Sequence, residues 1–385
     1  MQGLGAGPTP SDADGVGRRP TPRVLLVGQG EPAKGGIPSF IRSLLDAPDL
    51  RSTARLSYLN TTRDPTRPGG ATLDNLRWTV QDLRRVHDAA RGVDVVHLNL
   101  APAPLLPLLR AIALAAAARS AGARALVHAH SGRLHVAARA RSYRLLLGAL
   151  VRVSDAIVVV SADGAATIRA AGGRPTLLPN AVDASSFVHT GHDDPRTVIT
   201  FVGTVCERKG LDDLRRALLR LVEVDAAGPD RTRIVIVGDG RQEGPGVFER
   251  VRDAYERSGL GWVEFTGALP PEEVRRVLTS SDVFCLPSHW EGLPLSLLEA
   301  MASGTAVVAS NVGDIPDALA GGDAGILVPV KDVEALAGAL GLLLREPATR
   351  ARLARAARDR IESSFDRPTM TERLAALYRE LTYSM

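Results

Sequence analysis

From residue 23 onward, short runs of aliphatic and β-branched residues alternate with longer stretches of helical periodicity. The first half predicts strands at "RVLLVG" (23–28), "ARLSYLN" (54–60), "VDVVHLNL" (93–100), "ARALVHAH" (123–130), "DAIVVVSA" (155–162) and "PTLLPN" (175–180). The second half repeats the rhythm at "TVITFVG" (197–203), "TRIVIVGDG" (232–240), "WVEFTG" (262–267), "DVFCLPS" (282–288), "TAVVAS" (305–310) and "AGILVP" (324–329). Runs that are apolar throughout leave no face for water, so they belong in parallel sheets covered on both sides by helices. The expected fold class is α/β, with two doubly wound domains (21–182 and 197–365) and a cleft between them. The polar stretch "DASSFVHTGHDDPR" (183–196) reads as their linker. Residues 366–385 form a terminal helix able to cross back to the first domain. The Gly/Pro/Asp-rich residues 1–20 read as a flexible tail with no apolar signal segment.

In open parallel sheets, ligands bind beyond the carboxyl ends of the strands. Those ends here carry glycine or polar residues: Gly28 and Gly30, His128 and His130, Gly203, Gly238, and Ser288 through Glu291. The segment "HWEGLPLSLLEAMASG" (289–304) then raises a question, because Glu299 falls among Leu295, Leu297, Leu298 and Met301. A buried acid costs free energy unless something pairs with it. Pro294 suits the opening of a helix over 294–303, and Gly304 suits its C-terminal cap. The N–H groups of Leu293, Leu295 and Ser296 would open that helix, and a diphosphate fits such an end. Glu299 could then accept from a ribose diol, and Glu291, beside Gly292, could reach the sugar beyond the diphosphate. The alternative is a Glu291 favoured by the helix dipole and a Glu299 paired with an arginine. In "FVGTVCERKGLDDL" (201–214), Arg208 and Lys209 stand at a strand end, where cations serve a leaving phosphate. A solvated Arg-Lys turn is the simpler reading. "KGGIPSFIRSLL" (34–45) offers a second glycine turn, Gly35-Gly36, at a helix start.

Composition narrows the classes. The 385 residues carry a formal charge of only +4, and three of 47 basic residues are lysines. Two cysteines, Cys206 and Cys285, support neither a disulfide framework nor a zinc site. The apolar stretch 101–122 is broken by prolines and Arg110 and is too short to span a bilayer. A reduced cytoplasmic protein is expected, with no nucleic-acid partner.

Taken together, the Glu-x7-Glu of "EGLPLSLLE", the "RKG" turn, "VGDG", "LPNAVD", "GGIPSF" and "HAHSG" resemble glycosyltransferase family 4, over residues 23–385. The resemblance implies a GT-B fold and a retaining, metal-independent transfer from a nucleoside diphosphate sugar, with no cofactor. It implies that Glu299 binds the nucleotide ribose and that Glu291 contacts the donor sugar. Lys209, with Arg208, would face the diphosphate, Gly36 would be the close-approach glycine, and His130 would stand near the reacting centre with His128 supporting it. Two departures matter. Thr204 stands where many relatives have arginine, and Asp314 and Asp317 stand where Gly and Glu are more usual. The only Asp-x-Asp, at Asp12 and Asp14, lies in the tail.

Rival readings are few. "GQGEPA" (28–33) satisfies a dinucleotide pattern, but Pro32 delays the helix and no acid ends the next strand, which disfavours an NAD(P)-dependent oxidoreductase. An epimerase or phosphorylase on the same architecture is a second rival, and a catalytically silent binding protein a third. The acceptor side carries one further signal. Residues 95–154 contain no acid, where 43/385 × 60 would give about seven, and they hold eight arginines. With 133–153 taken as one helix, Arg133, Arg141, Arg144 and Arg152 share a face, and Leu134, Leu145, Leu146, Leu147 and Leu150 fill the remainder. Such a stripe can lie on an anionic membrane, which would suit a lipid-linked or polysaccharide acceptor. A core helix with a solvated arginine edge, serving a small soluble acceptor, is the alternative.

Overall fold

The computed structural model describes residues 20–33, 35–62, 73–131, 134–240 and 243–384. The expected tail up to residue 19, Lys34 and Arg133 lie outside the described residues. Each of the predicted runs carries a strand. The first domain contains β1 (Arg23–Gly28), β2 (Arg55–Asn60), β3 (Val95–Leu100), β4 (Arg124–Ala129), β5 (Ala156–Val159) and β6 (Thr176–Leu177). They form one parallel sheet in the order β2-β1-β3-β4-β5-β6. The second contains β7 (Thr197–Val202), β8 (Thr232–Val237), β9 (Glu264–Gly267), β10 (Val283–Leu286), β11 (Ala306–Ser310) and β12 (Ile326–Val328). Its order is β12-β11-β10-β7-β8-β9, again parallel. β1, β3 and β4 in one sheet and β7, β8, β10 and β11 in the other lie inside the strand order and have consecutive residues buried on both faces, as unbroken apolar runs require.

Helices cover both sides of the first sheet. On one side Val24, Leu26, Val95 and Leu126 meet Phe40 and Leu44 of the helix Gly36–Leu45. On the other, Leu25, Val96, Leu98 and Val127 meet Leu108, Leu114, Leu147 and Leu150. Each fully buried leucine contributes about 1.5–3 kcal/mol. The terminal helix Arg367–Tyr383 packs on the first domain, placing Met370, Leu374 and Tyr378 against Val24 and Leu126. The chain therefore passes between the domains twice. The two passages are tied together where Val182 N donates to Phe365 O (3.0 Å), Arg367 N donates to Val182 O (2.9 Å), and Arg367 pairs with Asp183 (2.8 Å). The segment 183–196 lies along the second domain: Thr190 N donates to Thr279 O (2.9 Å), and His192 meets Asp282 at 2.9 Å.

One expectation requires correction. Residues 133–153 are not one helix but two described helices, Leu134–Ala137 and Arg141–Val153, joined by a turn in which Arg144 donates to Ala138 O and Arg139 O. The leucine side is not free either. Leu134, Leu147 and Leu150 are buried in the core, and of the five leucines only Leu145 is strongly exposed, at 77%. Arg141, Arg144 and Arg152 do remain exposed. Among the described residues no helix is long and apolar enough to cross a membrane.

Candidate active site

The second domain brings three distant segments to one point. Glu291 Oε1 accepts from Lys209 Nζ at 2.5 Å and from Ser288 Oγ at 2.8 Å, with Arg208 Nη1 3.4 Å away. Lys209 and Glu291 are both buried, 7% exposed each. A buried ion pair needs good geometry and additional hydrogen bonds to offset its desolvation, and Ser288 supplies one. The Arg208 guanidinium lies over the Trp290 ring at 5.6 Å and donates to Trp290 O at 3.1 Å, while His289 N donates to Arg208 O at 2.8 Å. This doubled contact holds the Arg208-Lys209 turn against the strand end of β10.

Glycine makes that contact possible. Gly210 has φ +68°, and a Cβ there would stand 1.9 Å from Pro287 O. At Gly203 a Cβ would sit 3.4 Å from Lys209 Nζ, so the bare backbone of the β7 end flanks the ammonium. Asp213, buried on the helix Leu211–Glu223, pairs with His289 Nε2 at 2.6 Å and braces the loop from behind. Thr204 adds no charge, so Lys209 and Arg208 are the cations at this strand end.

The expected helix over 294–303 spans Leu295–Ala302, with Pro294 at its cap and no side-chain cap bond. Among the described residues, the N–H groups of Leu293, Leu295 and Ser296 have no hydrogen-bond partner. Gly292 O accepts from Asp314 N at 3.2 Å, and Leu293 O accepts from Asn180 Nδ2 of the first domain at 2.9 Å. One and a half turns into the helix, Glu299 makes no side-chain hydrogen bond or ion pair to any described residue. Burial pushes its carboxyl up to about 7. The arginine pairing that would have made Glu299 a plain structural acid is not there. At the ends of β8 and β9 a cavity of about 540 Å³ is lined by Asp239, Gly240, Val247, Phe248, Gly267 and Ala268. A second cavity, about 430 Å³, lies by Pro22 and Tyr383 at the opposite edge of the first sheet, away from the strand ends.

The first domain contributes His130 at the end of β4. Its ring stacks on His128 (centroids 4.1 Å apart) and leans on Phe40 (4.7 Å), and burial presses its pKa down to about 3. His128 is wholly buried and 3.2 Å from His97, whose other nitrogen lies 2.7 Å from the Tyr378 hydroxyl. His128 thus supports His130 from within the core. Gly36 opens the helix after β1, and among the described residues beyond its chain neighbours and its own helix backbone nothing lies within 4 Å of where its Cβ would be. The structure therefore groups Arg208, Lys209, Glu291, Gly203 and Gly292 in one contact network, sets Leu293, Leu295, Ser296 and Glu299 on the adjoining helix, and sets His130 and Gly36 at strand ends of the other domain. Sequence reasoning marked Ser288, His289 and Trp290 only as part of a polar strand end, and it missed Asp213, His97 and Asn99, for which the sequence carried no signal. Among the described residues no group of three His, Cys, Asp or Glu is placed to hold a metal ion.

Comparison with known proteins agrees with this arrangement. Residues 23–181 match the glycosyl transferase 4-like domain and residues 183–360 match the glycosyl transferases group 1. Together the two matches span residues 23–360, and the chain belongs to this family of glycosyltransferases. It is 33% identical over 236 residues to glycogen synthase of Mycobacterium tuberculosis, a match covering 60% of this chain and 55% of that protein. It is 37% identical over 187 residues to the D-inositol 3-phosphate glycosyltransferase of Saccharomonospora viridis (48% and 42% covered), and 32% identical over 223 residues to the phosphatidyl-myo-inositol mannosyltransferase of Mycolicibacterium smegmatis (56% and 54%). These matches span about half the length of the curated relatives. Among solved structures, sucrose-phosphate synthase of Thermosynechococcus elongatus superposes with a TM-score of 0.75 at 21% identity, covering 94% of this chain and all of that one. Anabaena HepE in complex with UDP gives 0.71 at 17% identity, covering 93% and 100%. The fold is GT-B, two α/β domains of parallel sheet.

Proposed function

We propose that this enzyme transfers a glycosyl group from a nucleoside diphosphate sugar to an acceptor hydroxyl, with retention of anomeric configuration and no metal ion. The observation that carries the reading is Glu299, a half-buried acid with no side-chain partner among the described residues, on the helix whose first N–H groups are unbonded. An acid left without a partner in the free protein is suited to a ligand that supplies two donors, and a ribose diol does. The diphosphate would then lie on the N–H groups of Leu293, Leu295 and Ser296, with the base toward the cavity at Gly240 and Gly267. Lys209 and Arg208 face the leaving phosphate, where negative charge grows as the glycosidic bond breaks, so their effect falls mainly on the transition state. Glu291 holds Lys209 in the free protein and turns toward the donor sugar once the diphosphate takes the ammonium. His130 faces that sugar from the other domain, and Gly36 lets it approach. Solved relatives of this fold hold UDP and UDP-glucose, which supports the donor class.

For the acceptor, the reading favoured here is a lipid-linked or polysaccharide glycan at the inner face of a membrane. Leu105, Leu106 and Leu109 are exposed at 42–52% on the helix Leu105–Ser120, which adjoins Arg141–Val153 and exposed Leu145. Arg139, Arg141 and Arg144 border them without an acid in that stretch. Leucines that enter a headgroup layer beside arginines gain about 1 kcal/mol per basic residue from anionic lipid. One curated relative is named for phosphatidyl-inositol, another for a small soluble inositol phosphate. Sedimentation with anionic and neutral vesicles separates the two, and negligible binding to both at low salt would favour the soluble acceptor. The donor is found by thermal-shift screening with UDP, GDP, ADP and their sugars in the presence of a chelator. A shift with none of them would overturn the assignment.

A further inference from the structure

Asn99 is wholly buried at the end of β3, where nothing in a transfer reaction would call for an amide. Its Nδ2 donates to His97 O at 3.2 Å, and a carbonyl oxygen can only accept. That bond fixes which way the amide points. Its Oδ1, an acceptor, is then the atom that lies 3.0 Å from His130 Nε2. A hydrogen bond there requires the proton on Nε2, so Nδ1 carries the lone pair. The ring has little freedom to escape this arrangement. His128 stacks on it, Phe40 packs on it, and His130 N donates to Leu100 O at 2.8 Å. Gly28 leaves room for Asn99 at this close approach of strands, since a Cβ there would stand 3.0 Å from the Asn99 backbone O. The ring neighbours that titrate are His128 and, behind it, His97, both held neutral by burial. His130 is therefore a neutral imidazole of one tautomer.

Resting on the reading that His130 faces the donor sugar, we propose that Asn99 is a positioning residue that sets donor specificity by presenting His130 Nδ1 as a hydrogen-bond acceptor only. Such an atom accepts a hydrogen bond from a sugar hydroxyl. Opposite a carboxylate it meets an acceptor with an acceptor, and it cannot reward a deoxy position. Donors bearing a hydroxyl at that point are selected, and uronic-acid donors are excluded. A buried polar group built to hydrogen-bond a substrate hydroxyl discriminates more sharply than an apolar wall does.

The first test needs no substrate. Nitrogen-15 spectra of the His130 ring in the free wild-type protein should show the proton on Nε2 and no titration from pH 8 to pH 5. A proton on Nδ1, or a ring that titrates in that range, would overturn the proposal. The second test uses Asn99→Asp, which keeps the acceptor for Nε2 but adds a negative charge that favours imidazolium. With UDP-glucose against UDP-glucuronate, and GDP-mannose against GDP-mannuronate, kcat/KM for the hydroxyl-bearing donor should fall at least tenfold at pH 6 relative to pH 8. The uronate should gain relative to it, with nucleoside diphosphate affinity unchanged. An unaltered donor preference and pH profile in Asn99→Asp, with the wild-type tautomer as stated, would refute the specificity role while leaving the Glu299 nucleotide site standing. Loss of nucleotide binding on Glu299→Gln is read separately, so the two readings fail independently.

Discussion

Glu299 carries a cost that the free protein does not recover. Its folded-state pKa, about 7, stands above the ordinary 4.5 because burial disfavours the charged form. Between those two values the unfolded chain releases its proton first, so stability declines as pH rises from 4.5 to 7 and stays reduced above that. Glu299→Gln is neutral throughout. Its Tm should exceed that of the wild type at pH 8, with the gap closing as pH falls toward 4.5, which differential scanning calorimetry checks. A gain in stability with a loss of ligand affinity marks a residue kept for binding. In the proposed reaction Lys209 differs in kind, because its charge would act where charge develops. Lys209→Ala should lower kcat by roughly 10²–10³, the usual cost of removing a donor aimed at a transition state. Arg208→Ala should cost less, since its guanidinium is 38% exposed and shares Glu291 with Lys209. Single-turnover kinetics on both variants decides this, and near-normal turnover in both would place the diphosphate elsewhere.

At the level of elements, the turn that carries the cations depends on its glycine. Gly210→Ala would combine a left-handed φ with a side chain 1.9 Å from Pro287 O, so the turn must move. Such strain costs about 1–3 kcal/mol, seen as a lower denaturation midpoint, and turnover should fall with it because Lys209 shifts away from the β7 end. The strands were legible because each buried run is apolar on both faces, and the Glu-x7-Glu segment was legible because an acid among leucines demands an explanation. What could not be read is pairing between elements. His289 with Asp213, and Asn99 with His130, join residues 76 and 31 positions apart, and no periodicity records such contacts. For a related reason residues 133–153 read as one helix, while the alternative of a core helix with a solvated arginine edge fits the exposed arginines. A break at residues 138–140 turns the helix, and the leucines of 134, 147 and 150 then satisfy the core rather than a surface.

Across the whole molecule, Asp314 stands where the halves meet. It follows β11 in the second domain, and its carboxyl faces the start of the helix Ala162–Ala170 in the first, with Oδ2 buried and without a hydrogen-bond partner among the described residues. Burial pushes its carboxyl up to about 6, so the ionised form, the better acceptor at a helix N-terminus, dominates above that pH. Asp314→Gly should open the ligand-free protein, raising the radius of gyration in small-angle scattering at pH 8. An unchanged radius would show that Asn180 and the paired crossings at Val182 and Arg367 hold the domains by themselves. In the proposed reaction closure matters because Glu299 and Lys209 belong to one domain and His130 to the other, and the donor would have to meet both. The most direct measurement of the central claim is isothermal calorimetry of UDP and GDP with wild type and Glu299→Gln at pH 8. Losing the pair of charge-assisted bonds to a ribose diol should cost roughly 1.5–3 kcal/mol in all, so affinity for the preferred diphosphate should fall by about ten- to a hundredfold while the fold stays intact. Equal affinity in the two proteins would contradict the account.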